Sequence, residues 1–85
     1  MTFTKYKGFT NSETWKVNDI IENTKDYKDM FEEEKLMCIE ITTTKLEAIK
    51  ILTEIIRDYF IDSDILNKVN YRDVNWKEVA EKRFN

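Results

Sequence analysis

Between residues 44 and 61, Leu46, Ile49, Leu52, Ile56, Tyr59 and Phe60 recur mostly at steps of three and four. Lys45, Glu47, Lys50, Glu54, Arg57 and Asp58 fall between them. This periodicity predicts an amphipathic helix with one buried stripe. Ile51 and Ile55 widen the stripe to nearly half the circumference, so other segments are expected on two sides of the helix. Thr44 followed three residues later by Glu47 has the spacing of a capping box, in which each side chain satisfies a backbone donor near the other.

Weaker patterns flank this segment. Thr10 and Glu13 share the capping spacing and Asn11 is itself a strong N-cap, so a helix is predicted to begin within a residue of this point and run to Asn23. Its buried side would be Trp15, Val17, Ile20 and Ile21, with Phe9 stapled to its first turn. A second helix is predicted from Thr24 to Cys38, with Tyr27, Met30 and Phe31 as its i, i+3, i+4 face. Residues 38–43 alternate and are rich in β-branched side chains, which gives them strand character. The partner for such a strand would be the arm at residues 2–7. The other readings are an extended linker, or a long helix that starts before Thr44. After Ile61, Asp62, Ser63 and Asp64 interrupt the pattern and offer caps for a short helix from Asp64 to Asn70. A turn over residues 71–74 follows. Asn75 and Glu78 again have capping spacing, opening a last helix with Trp76, Val79, Ala80 and Phe84 inward. The fold class is therefore all-α: one domain over residues 1–85, four to five helices around the long one at 44–61, with Trp15 and Trp76 packed against it.

Composition narrows the picture. The chain has 85 residues, of which 41% are hydrophobic, enough for a core and too many for a disordered chain. No Pro and a single Gly favour helices over tight hairpins. Without His, and with Cys38 as the sole cysteine, a disulfide within the chain and the usual zinc sites are excluded. No apolar run approaches the roughly 20 residues that span a bilayer, and no signal-peptide pattern opens the chain, so a cytoplasmic protein is expected. The net charge of −3 is unevenly placed. Asp19, Glu22, Asp26, Asp29, Glu32, Glu33 and Glu34 face only Lys25 and Lys28 over residues 19–34, whereas the first 18 and last 18 residues are net positive.

The stretch Gly8-Phe9-Thr10-Asn11-Ser12-Glu13-Thr14-Trp15-Lys16-Val17, together with the closing Val74-Asn75-Trp76-Lys77-Glu78-Val79-Ala80, resembles a family of small uncharacterised proteins of bacteriophages and other mobile elements. Members open with an aromatic residue, then Asn-x-Glu-Thr-Trp, and close with a Trp-containing helix. The resemblance covers both ends and little of the middle. It implies a small helical domain in a phage or mobile-element setting, hence the host cytoplasm, and brings no known activity or catalytic residues with it.

The side chains point away from catalysis. Ser-His-Asp and Cys-His arrangements lack their base, one glycine cannot build a phosphate-binding loop, and the carboxylates lie in a polar segment where nothing would separate their pKa values. Cys38 sits among apolar residues, where a thiol is inert. No cofactor or metal is expected. What is left is binding. Glu22, Asp26, Asp29, Glu32, Glu33 and Glu34 would suit a host protein with a basic surface, such as the nucleic-acid channel of a restriction enzyme or CRISPR effector. The expected function is thus a non-catalytic inhibitor of the anti-restriction or anti-CRISPR kind. The alternative is a small DNA-binding protein using Lys68, Arg72, Lys77, Lys82 and Arg83. A homo-oligomer covering surplus apolar surface on the long helix is a third reading.

Overall fold

The computed structural model describes residues 8–63 and 69–84. Four α-helices and one 3₁₀ turn make up its regular structure: α1 (Ser12–Asn23), α2 (Lys25–Ile41), α3 (Lys45–Ser63), a turn at Tyr71–Asp73 and α4 (Trp76–Arg83). Among the described residues there is no strand, so the architecture is all-helical. The radius of gyration, 12.8 Å, is close to the roughly 12 Å of a compact chain of this length.

Side-chain caps mark the starts of α1, α3 and α4, whereas Thr24 at the start of α2 makes no side-chain capping bond. At α1 the cap is Asn11, whose Oδ1 accepts from the Thr14 backbone N–H at 2.8 Å and from the Thr14 hydroxyl at 2.7 Å. The expected Thr10–Glu13 box does not form, because both members are taken by distant parts of the chain. Thr10 donates its N–H to Glu78 at 2.8 Å, and Glu13 accepts from the Asn70 N–H at 2.7 Å. At α3 the predicted box is present. The Glu47 N–H donates to the Thr44 hydroxyl at 3.2 Å and the Thr44 N–H to the Glu47 carboxylate at 3.3 Å, with Thr43 adding two further donors. At α4, Asn75 Oδ1 accepts from the Glu78 N–H at 3.1 Å.

Helix α2 differs most from expectation. It continues past Cys38 to Ile41, so neither a strand nor an extended linker occupies residues 38–41, and α3 does not start before its Thr44 cap. The β-branched side chains here carry only a weak local preference, which the established hydrogen-bond ladder overrides. The ladder closes where the Thr42 hydroxyl donates to the Cys38 carbonyl at 2.6 Å. The pairing arm at residues 2–7 and most of the short helix expected from Asp64 lie outside the described residues.

The core joins Val17 and Ile21 of α1, Phe31 and Cys38 of α2, Ala48, Ile49, Leu52, Ile56 and Phe60 of α3, and Trp76, Val79 and Ala80 of α4, with Val74. Helix α3 packs against both α2 and α4, and the eight-residue α4 touches α1, α2 and α3. Aromatic rings lock the centre. Phe60 meets Tyr27 and Phe31 at centroid distances of 5.5 and 5.7 Å and stacks on Trp76 at 6.2 Å. Trp15 is not among the fully buried residues; it is half-buried and borders a shallow groove with Ile20 and Val69. The buried α1 residue sequence reading passed over is Thr14, a neighbour of Trp15 with no exposed surface.

Candidate functional site

Three of the six acidic positions form one face. Asp26, Asp29 and Glu33 stand at i, i+3 and i+7 on α2, which places them on the same outward side, all exposed. Glu32 lies on the flank of that face and pairs with Lys35 at 2.6 Å, while Asp29 pairs with Lys25 at 2.7 Å. Asp29 raises the pKa of Lys25, chiefly through their hydrogen bond. The face is therefore acidic but locally tempered by lysines.

The other two acids have different surroundings. Glu34 is half-buried and turned toward the side of α2 that carries Cys38; burial, with a smaller contribution from the Glu34 charge, pushes the Cys38 thiol above its ordinary pKa. Glu22, on α1, accepts from Arg83 at 2.7 Å and lies 3.5 Å from Lys28. Arg83 is the residue whose role the sequence concealed. Its side chain is only 6% exposed, and the same nitrogen that donates to Glu22 also donates to Asn18. Burial presses its pKa down, and the charges of Glu22 and Glu32 oppose that shift. Spacing held the signal: Arg83 lies three and four residues beyond Ala80 and Val79, hence on the inward face of α4.

The proposed basic stripe is dispersed. Arg83 is consumed by the ion pair, Lys82 lies over the Phe9 ring at 5.0 Å, and Arg72 is exposed within the 3₁₀ turn. Lys77 instead borders an open groove of about 350 Å³ with Lys50 and Arg57 of α3. Lys68 lies outside the described residues.

A second polar cluster links residues 10–14 to residues 70–75. The buried Thr14 hydroxyl, which donates to Asn11, accepts from the Asn75 N–H at 2.8 Å. Asn11 Nδ2 donates to the Asp73 carbonyl at 2.6 Å, and Asn75 Nδ2 to the Thr10 hydroxyl at 3.3 Å. Asn11, Glu13 and Thr14 thus bind residues 70–75, and the segment acts as a joint between the caps of α1 and α4. Its hydrogen bonds go to the protein's own backbone and side chains, which gives the segment a structural role.

Among the described residues, no three His, Cys, Asp or Glu side chains are grouped to hold a metal ion, and no helix is long and apolar enough to cross a membrane. No protein-family model, curated protein or solved structure matches this chain.

Proposed function

We propose that this chain is a non-catalytic binding module, built on α3 as scaffold, that presents the outward face of α2 to a basic surface of a partner protein. The observation that carries the reading is the alignment of Asp26, Asp29 and Glu33 on one exposed helix face, flanked by Glu32. Such a face attracts a cationic surface at long range and repels nucleic acid from it. The resemblance of the chain's ends to phage and mobile-element proteins directs the choice of partner to a host defence nuclease in the bacterial cytoplasm, whose nucleic-acid channel is basic. Inhibition then follows from occupancy and charge. Glu22 and Glu34 sit at the margin of the surface, the first held by Arg83 and the second turned inward.

The test is DNA cleavage by a panel of purified restriction and CRISPR nucleases, with and without the protein. Inhibition of at least one nuclease is expected, weakening as salt rises. It should be lost in the Asp26→Lys, Asp29→Lys, Glu33→Lys triple variant, which leaves the Arg83 pair intact. Equal inhibition by wild type and variant, or none across the panel, counts against the proposal. The competing reading, DNA binding, draws on the groove bordered by Lys50, Arg57 and Lys77. A mobility shift on duplex DNA that disappears in Lys50→Glu with Lys77→Glu would favour it.

A further inference from the structure

Most cationic side chains of the described residues are matched within the chain. Lys16, Lys25, Lys28, Lys35, Arg57 and Arg83 sit in ion pairs, and Lys82 lies over the Phe9 ring. Lys50 of α3 and Lys77 of α4 are exposed and have no such partner, yet both border one open groove of about 350 Å³. Thr53, Glu54 and Arg57 complete its lining. Three cations against one carboxylate leave the lining at +2, although the molecule as a whole carries −3. Asp58, outside the lining, engages only the Arg57 Nε at 3.2 Å, so both terminal nitrogens of that guanidinium remain to donate. Lys50 and Arg57 stand seven residues apart on α3, roughly 10 Å along its axis, and Lys77 joins them from the helix packed alongside.

The acceptors in the groove narrow the ligand further. Thr53 donates its hydroxyl to the Ile49 carbonyl at 2.6 Å, so it offers a ligand only lone pairs. Glu54 is exposed and has no partner in the chain, which leaves its carboxylate to accept as well. We infer that this groove between α3 and α4 binds a small phosphomonoester that also carries hydroxyl groups, a sugar phosphate or a mononucleotide. Lys50, Arg57 and Lys77 hold the phosphoryl oxygens, and the ligand's hydroxyls donate to Glu54 and Thr53. The volume lies within the roughly 300–1,000 Å³ of small-molecule sites. A nucleic-acid strand is the poorer match. Surfaces for duplex DNA make on the order of 6–10 phosphate contacts, and here the Glu54 carboxylate stands on α3 between Lys50 and Arg57, where it repels a continuous phosphate backbone. No residue of α2 lines the groove, so this site is separate from the acidic face.

Amide NMR titrations of the full chain with ribose 5-phosphate, inorganic phosphate and ribose test the site. Ribose 5-phosphate should shift the amides around Lys50, Thr53, Glu54, Arg57 and Lys77 saturably, and bind about ten-fold more tightly than inorganic phosphate. Ribose alone should shift nothing. Lys50→Gln with Lys77→Gln should weaken ribose 5-phosphate by at least about ten-fold while the amides of the core stay in place. Glu54→Gln should bind inorganic phosphate at least as well as wild type, yet narrow its gap to ribose 5-phosphate, a pattern that general damage to the fold does not produce. Absence of a localised shift at about 10 mM ligand, equal affinity for the two phosphates, or an unchanged response in the lysine double variant would each overturn the inference. A short DNA duplex that moves the same amides at lower concentration than ribose 5-phosphate would overturn it too, and assign the groove to nucleic acid.

Discussion

The two halves of α2 show how little hydropathy alone decides about burial. Over residues 25–34 the apolar side chains are Tyr27, Met30 and Phe31, and all three pack into or against the core. Over residues 35–41 the helix is far more apolar, yet only Cys38 is buried. The difference lies in what stands opposite. Tyr59 and Phe60 of α3 meet Tyr27 and Phe31 of the first half at ring-centroid distances of 5.5–5.9 Å, three of the four contacts edge-on. The second half runs out of neighbours, because α1 is 12 residues and α4 eight, roughly 18 and 12 Å long, against roughly 25 Å for the 17 residues of α2.

The largest effect should come from the packed half. Phe31→Ala is expected to cost about 3–5 kcal/mol in denaturant unfolding, whereas Met37→Ala, at a side chain 59% exposed, should change stability by less than about 0.5 kcal/mol. Similar losses at the two sites would break the comparison. Next comes the ion pair that ties α4 to α1 beside the packed half. Glu22→Gln should cost roughly 1–2 kcal/mol, less than a fully buried pair, because the Glu22 side chain is 42% exposed. Adding Arg83→Met should recover part of that loss, since it removes the stranded buried charge. If the double variant is the worse of the two, Arg83 contributes through packing and not through its charge.

The smallest effect concerns pH. The Asn70 N–H, and secondarily Lys16, hold the Glu13 carboxyl below its ordinary 4.5. Its folded pKa is therefore lower than its unfolded one, so its contribution is fully present above pH 4.5 and fades as pH falls through the lower, folded value. Acid titration of thermal stability should show a shallower decline in Glu13→Gln than in wild type. Identical acid limbs for the two proteins would mean that the contact with Asn70 does not persist in solution.

What the sequence made legible was local. The caps at Asn11, Thr44 and Asn75, the stripe of α3 from Ile49 onward and the inward Trp76, Val79 and Ala80 each follow from residues within a turn or two of one another, whereas Leu46, expected in that stripe, is 71% exposed in the first turn of α3. What it hid depends on distant partners. Arg83 reads as surface charge until Glu22 and Asn18 are brought beside it, and Glu13 reads as half of a capping box until Asn70 arrives. Residues 38–41 have the alternation of a strand or an extended linker, but the hydrogen-bond ladder of α2 runs on through them to Ile41. The acidic segment was visible as a composition, but its division into an outward face and the diverging Glu22 and Glu34 required the helix geometry.

The joint formed by Asn11, Thr14 and Asn75 also bears on how the chain is made. Thr14 receives the Asn75 N–H across 61 positions of sequence, so the ribosome exposes the first helix well before its counterpart exists. Until Asn75 leaves the exit tunnel, that hydroxyl has only its neighbour Asn11 and water to bond with, and the start of α1 stays open to solvent. The joint closes only when the segment bearing α4 emerges and covers the opening turn.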